Sequence, residues 1–291
     1  RCRHPHPESI MLPKPLIQVE QLRELLRRGE PVVLLDTRFD LFKPDAGRSE
    51  WQAGHLPGSR YLNLDTDLSG RKTGRNGRHP LPDRADFALT LGRAGITPAS
   101  VVITLDAQGG VYASRAWWML RWIGHDAVAV LDGGLAAWVR SGGPLSTESA
   151  VIATAPPYPE RPALVESVNT SSLASSLGQV RLIDARAPER FRGEVEPLDP
   201  QAGHIPGALN RFFKDNLDAD GRFKPVDQLR REFAPLLGKQ DPAHVVHQCG
   251  SGVTACHNLI AMEHAGLTGS KLYPGSWSEW SSDPTRPVAR G

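Results

Sequence analysis

Cysteine is scarce in this chain. Three occur in 291 residues, Cys2, Cys249 and Cys256. So sparse and odd a set argues against a disulfide framework and for a reducing compartment, so the cytoplasm is the expected location. A dominant charge is missing as well. The formal net charge is +2, and no strong field points to a nucleic-acid or membrane partner. A local basic patch for an anionic substrate is compatible with that balance. No run approaches the roughly 18 apolar residues that span a bilayer. The opening RCRHPHPESI is basic and polar without an apolar centre, unlike a secretory signal. Residues 1–10 are expected to be an extension ahead of a folded part that begins near Met11. No Cys-x-x-Cys pair exists, and the spacing of Cys256, His257 and His264 matches no common zinc pattern.

What is present is an ordinary globular composition, 40% hydrophobic and 23% charged, long enough for two domains. The chain reads as one unit written twice. Val32–Arg38 (VVLLDTR) returns as Val180–Arg186 (VRLIDAR), and Gly54–Gly58 (GHLPG) returns as Gly203–Gly207 (GHIPG). Leu131–Gly134 with Trp138 returns as Tyr273–Ser276 with Trp280. The echoes are collinear, each roughly 140–150 residues apart, which is the mark of duplication. The expected division is an N-terminal domain over 11–142, a linker over 143–163 rich in Pro, Ser and Thr, and a C-terminal domain over 164–291.

Within each half, short apolar runs alternate with helical spacing. Val32–Asp36, Val101–Asp106 and Ala127–Leu131 read as strands, with a helix over Ser114–Ile123. Val180–Asp184, Val245–Gln248 and Leu272–Tyr273 are their counterparts, with a helix over Val253–Ala265 stopped by Gly266. This predicts an α/β fold of two tandem domains, each a mainly parallel sheet flanked by helices. Ligands of such sheets bind at the carboxyl ends of strands.

Cys249 sits at such an end, followed by Gly250, Ser251, Gly252, Val253 and Thr254. A thiol attacks only as thiolate. Glycines let successive backbone N–H groups turn toward one point, and the helix start adds positive potential there. A strand-Cys-Gly-x-Gly-helix arrangement therefore suits an anionic sulfur better than an inert core cysteine. Cys256, inside the helix, reads as a small buried residue.

These motifs resemble the tandem-domain rhodanese superfamily, the thiosulfate and 3-mercaptopyruvate sulfurtransferases. The carrying features are Asp-x-Arg and Gly-His-[Leu/Ile]-Pro-Gly in each half, Cys249–Cys256 (CGSGVTAC) and Gly275–Trp280 (GSWSEW). The resemblance implies an N-terminal half without its nucleophile, and Asp106 falls where the other half has Cys249. It implies a site between the halves and transfer of sulfur through a Cys249 persulfide, with no metal or organic cofactor. The partners implied are a small anionic sulfur donor and a thiol, cyanide or thioredoxin-like acceptor. A monomer suffices for this.

The loop resembles the mercaptopyruvate branch, because Gly250 and Ser251 bring none of the basic residues that follow the cysteine in many thiosulfate enzymes. That branch implies a relay of Ser251, His79 and Asp65 for proton handling as the C–S bond breaks. It also implies Arg190, in Arg190-Phe191-Arg192-Gly193, as a guanidinium clamp for the donor, with Gly250, Gly252, Val253 and Thr254 around it. Arg192 reads as a surface residue. A second clamp arginine is expected after Glu196-Pro197, where this chain has Leu198. The loop and the clamp thus favour different donors; mercaptopyruvate is the expected one and thiosulfate the alternative. Arg71, Lys72, Arg75 and Arg78 supply compensating charge if their loop folds over the site. Asp36, Arg38, His55, Asp184, Arg186 and His204 recur in both halves, which points to structural roles.

Two other classes remain in view. A phosphatase of this fold needs Cys-x5-Arg, and Ala255 stands at the arginine position. A sulfur carrier loaded by a partner protein would need only the cysteine.

Overall fold

The computed structural model describes residues 11–291. The extension expected at 1–10, with Cys2, lies outside the described residues. The first half runs β1 (Leu16–Ile17), α1 (Val19–Arg27), β2 (Val32–Asp36), α2 (Ala46–Ala53), β3 (Arg60–Tyr61), α3 (Arg84–Arg93), β4 (Val101–Leu105), α4 (Val111–Trp122), β5 (Val128–Leu131) and α5 (Gly134–Arg140). The second runs α6 (Thr170–Ser176), β6 (Arg181–Asp184), α7 (Pro188–Phe191), β7 (Leu209–Asn210), α8 (Val226–Leu237), β8 (Val245–Gln248), α9 (Thr254–His264), β9 (Lys271–Leu272) and α10 (Ser276–Trp280).

Each half holds its own sheet, ordered β1-β5-β4-β2-β3 and β7-β6-β8-β9. Every strand pair within them is parallel. The central strands VVLLD, VVITL and RLID are apolar on both faces because helices cover both sides. The two-residue strands β1, β3 and β7 escape sequence reading, since two residues carry no period. None of the described helices is long and apolar enough to cross a membrane.

The duplication repeats down to side chains. Arg38 forks onto Asp36 and reaches the Gly54 carbonyl at 2.9 Å; Arg186 forks onto Asp184 and reaches the Gly203 carbonyl at 2.7 Å. His55 stacks on Trp51 at 4.2 Å between ring centres, and His204 on Phe191 at 3.8 Å. These pairs tie a strand end to the Gly-His turn in both halves.

Helices α4 and α9 are apolar almost all round, which marks buried helices. They pack on each other across the halves, and one apolar cluster runs from Trp117 and Trp118 to Cys256, Leu259 and Met262. The segment between α5 and α6 contains no helix and runs along the first half. Ala155 N–H donates to the Gly92 carbonyl at 2.8 Å, and Tyr158 N–H to that of Ala88 at 3.0 Å. Because α4 and α9 each start just past a strand, the loops after β4 and β8 meet at one seam.

Candidate active site

Cys249 directly follows β8 and is 1% exposed. Its backbone is pinned on both sides. Its N–H donates to Ser276 Oγ at 3.1 Å, and its carbonyl accepts from Trp277 N–H at 2.9 Å. The Gly250 carbonyl accepts from Ser278 N–H at 2.8 Å. Ser276 has φ +55°, the sole non-glycine in the left-handed region among the described residues. Its echo Gly134 has the same φ. The strained backbone is shared by both halves, and only the second uses a side chain there. Gly252, at φ +82°, turns its N–H onto Cys249 Sγ at 3.1 Å. Helix α9 opens two residues later and directs its N-terminal potential at the same loop.

The first half shows what this loop geometry holds. Asp106 follows β4 as Cys249 follows β8. Its carboxylate accepts from the backbone N–H groups of Gln108, Gly110, Tyr112 and Ala113 at 2.9, 2.9, 2.9 and 3.0 Å. Four converging N–H groups form an anion cradle.

Ser251, His79 and Asp65 are brought together from opposite halves. Ser251 Oγ lies 2.8 Å from His79 Nδ1, and His79 Nε2 lies 3.3 Å from Asp65 Oδ1. Burial, followed by the positive charges of Arg115, Lys72 and Arg78, pulls His79 down to about 3. The ring is therefore neutral at pH 7. The Asp65 carboxylate faces Nε2 and favours the tautomer protonated there, which leaves Nδ1 to accept from the Ser251 hydroxyl. Lys72 Nζ, 3.2 Å from Asp65 Oδ1, shares the carboxylate.

Arg190 comes from α7. Its Nη2 reaches Glu196 Oε1 at 2.8 Å and Asp199 Oδ2 at 3.5 Å. Arg78 pairs with the other oxygen of Asp199. Of the basic run, Arg71, Lys72 and Arg75 are exposed, while Arg78 turns inward. Arg192 pairs with Glu194 at the surface, as expected of it. Cys249, Gly250, Ser251, Val253 and Thr254 line a cleft of about 790 Å³ together with Arg78, Arg186, Arg190 and Leu198. Tyr112, Phe212, Phe213 and Leu217 form its apolar wall. Gly252 serves from behind through its N–H. Trp277 is buried with its indole N–H on the Gln201 carbonyl and packs rather than lines the cleft. Cys256 is buried with its thiol pushed up to about 12, chiefly by burial, which keeps it protonated.

Sequence reading missed Arg115. It is fully buried in α4 and donates to the carbonyls of Gly252, Leu68 and His79 at 3.1, 3.0 and 2.9 Å. One guanidinium thus fastens the cysteine loop to the histidine segment. Ser276 was missed too, although its replacement of Gly134 in the repeat was a signal.

Rhodanese-like domain models match residues 18–141 and 170–283. The chain is 46% identical over 281 residues to a Pseudomonas aeruginosa protein named "Probable 3-mercaptopyruvate sulfurtransferase", covering 95% of this chain and 98% of that one. It is 32% identical over 301 residues to the mouse "Thiosulfate sulfurtransferase", covering 97% of each. Among solved structures it resembles 3-mercaptopyruvate sulfurtransferase from Leishmania major, at 28% identity and TM-score 0.80, over 95% of this chain and 75% of that one. With two matched domains, the same side-chain motifs in each, and a cysteine loop at the seam, the chain belongs to the family of tandem rhodanese-like sulfurtransferases.

Proposed function

We propose that the protein transfers sulfur from 3-mercaptopyruvate to a thiophilic acceptor through a Cys249 persulfide. The observation that carries this reading is the alignment of Ser251, His79 and Asp65 next to the cysteine loop, with a 2.8 Å hydrogen bond between Ser251 and His79 and the Asp65 carboxylate 3.3 Å from the other ring nitrogen. The Cys249 thiolate attacks the donor sulfur, and the C–S bond breaks with its electron pair leaving on carbon as the pyruvate enolate. The donor thiol's proton is taken up and returned to that carbon, giving pyruvate and an enzyme persulfide. No net oxidation occurs. A neutral histidine with a free Nδ1 lone pair, reached through Ser251, is fitted to carry that proton. The Gly252 N–H and the start of α9 favour the sulfur anion before and after transfer. A thiol, cyanide or a thioredoxin-like protein then removes the outer sulfur.

Asp106, a carboxyl in the equivalent cradle where the other half has Cys249, supports an N-terminal half that has given up its own nucleophile. The sparse cysteines support a cytoplasmic setting, and a site complete within one chain supports a working monomer. Thiosulfate is the second reading, favoured by Leu198 at the expected clamp position and by the similarity to the mouse protein.

A side-by-side kcat/KM comparison of 3-mercaptopyruvate and thiosulfate tests the donor. Higher efficiency with thiosulfate would reverse the assignment. Cys249→Ser should abolish the adduct of about 32 Da, one sulfur atom, on intact protein mass, as expected of a covalent intermediate. Persistence of the adduct would show the nucleophile to be elsewhere.

A further inference from the structure

We infer that Arg78, donated by the N-terminal half, is the second carboxylate clamp of the donor site and does the work that Leu198 cannot. The inference rests on the donor being the α-keto acid proposed above.

Two guanidinium groups meet over Gly250. A β-carbon placed on Gly250 would lie 2.9 Å from Arg78 Nη2 and 3.5 Å from Arg190 Nη1. Both nitrogens lack a hydrogen-bond partner among the described residues, whereas the other edges of both groups are occupied. Arg190 spends Nε and Nη2 on Glu196, and Arg78 spends Nη1 on Asp199. Asp199, 3% exposed, takes Arg78 with one oxygen and Arg190 with the other. One buried carboxylate therefore holds the two forks side by side from behind. Their free edges lie over the residue next to the nucleophile, in the wall of the cleft.

The backbone places Arg78 as firmly as its side chain does. Its N–H donates to Ser278 Oγ at 3.1 Å. Gly77, at φ +85°, lies so close to Gly275 that a β-carbon would stand 2.9 Å from the Gly275 carbonyl oxygen. The basic loop is thus docked against the turn that also pins Cys249. A donor with its thiol at Cys249 and its carboxylate over Gly250 receives one N–H from each half of the molecule. Two planar donors converging on one carboxylate also select against an uncharged group in that place.

The test compares 3-mercaptopyruvate with mercaptoacetone, which keeps the thiol and ketone but lacks the carboxylate. Arg78→Ala should lower kcat/KM for 3-mercaptopyruvate about 10–100-fold, the range for a lost charge-assisted hydrogen bond, and leave mercaptoacetone within about twofold. Arg78→Lys, which keeps charge but not the fork, should fall between. The Arg78→Ala/Asp199→Asn pair removes the carboxylate left behind and should show the same selectivity loss if the single variant folds poorly. Gly250→Ala, outside the left-handed region, should raise KM for the keto acid by filling the seat. Equal losses for both donors in the Arg78 variants would reduce Arg78 to a structural tie and overturn the inference, as would no loss for either. Wild-type protein that fails to turn over 3-mercaptopyruvate would instead overturn the reading of the donor.

Discussion

At Gly252 one methyl group should damage the fold and the cysteine loop together. Alanine there meets two separate penalties. The first is conformational: φ is +82°, and an L-residue in the left-handed region costs about 1–2 kcal/mol. The second is steric. The new β-carbon would lie 2.4 Å from the Pro274 carbonyl oxygen and 3.0 Å from Pro274 Cα, all backbone. No flexible side chain is available to move aside, and overpacking of this kind adds about 1–3 kcal/mol. The loop can escape only by shifting toward the cleft, which carries away the N–H on Cys249 Sγ and the carbonyl that Arg115 holds. A displacement near 1 Å at a reacting centre costs on the order of 100-fold in rate. Gly207 separates the two penalties, because it has φ +83° with nothing within 4 Å of a β-carbon. Gly207→Ala should lose about 1–2 kcal/mol in denaturant unfolding and keep its rate of persulfide formation. Gly252→Ala should lose about 2–5 kcal/mol and about 100-fold in single-turnover persulfide formation read by intact mass. Equal stability losses in the two variants, with normal persulfide formation in Gly252→Ala, would refute the argument from close packing.

The relay has its own signature: Ser251→Ala and His79→Asn should each lower mercaptopyruvate turnover at least tenfold more than thiosulfate turnover, since only the keto acid needs a proton delivered to carbon. Equal effects on the two donors would remove the relay from the mechanism. Acid should weaken the contact where the halves meet. Burial holds His257 down to about 4; its Nε2–H donates to the Gly109 carbonyl at 2.8 Å and its Nδ1 accepts from Asn216 at 3.1 Å. A depressed folded value means the unfolded chain binds the proton more readily, so stability present above pH 6.5 is lost as pH falls through about 4. At pH 4.5 that loss amounts to roughly 2–3 kcal/mol. His257→Gln, which can imitate both hydrogen bonds without titrating, should make the stability profile between pH 6.5 and 4.5 shallower by about one proton, with His79 and His247, both held down to about 3, supplying the rest; an unchanged slope would exclude His257 as a contributor.

Local features were legible from sequence, and tertiary ones were not. The doubled Asp-x-Arg and Gly-His-x-Pro-Gly motifs showed the duplication because identical short-range geometry is built from identical short-range sequence. Cys249 could be placed at a strand end because apolar Val245–Val246 precedes it and glycines follow. Ser251 and His79 are 172 residues apart, and only the family resemblance linked them; no spacing rule spans a domain seam. Arg78 was one of four basic residues in a run, and which of them turns inward depends on Gly77 docking against Gly275. Arg115 looked like any arginine on a helix. Its three partners are backbone carbonyls, two from the long connection between β3 and α3 and one from the cysteine loop, and carbonyls leave no mark in the residue alphabet.

The Asp106 cradle has a consequence for the catalytic loop. In the first half the Asp106 carboxyl is a fixed part of the turn: burial pushes its pKa up, four backbone N–H groups work against that shift, and those four contacts are part of the resting fold. The second half keeps the turn, and on the proposed mechanism the Cys249 sulfur, which carries cargo for only part of each cycle, stands where that carboxyl does. Loading Cys249 with a second sulfur, which yields a more acidic terminal group, should tighten the loop around it; unloading should slacken it. On the proposed mechanism the C-terminal half is a turn whose clasp closes while cargo is aboard, and the N-terminal half keeps a clasp that needs no cargo.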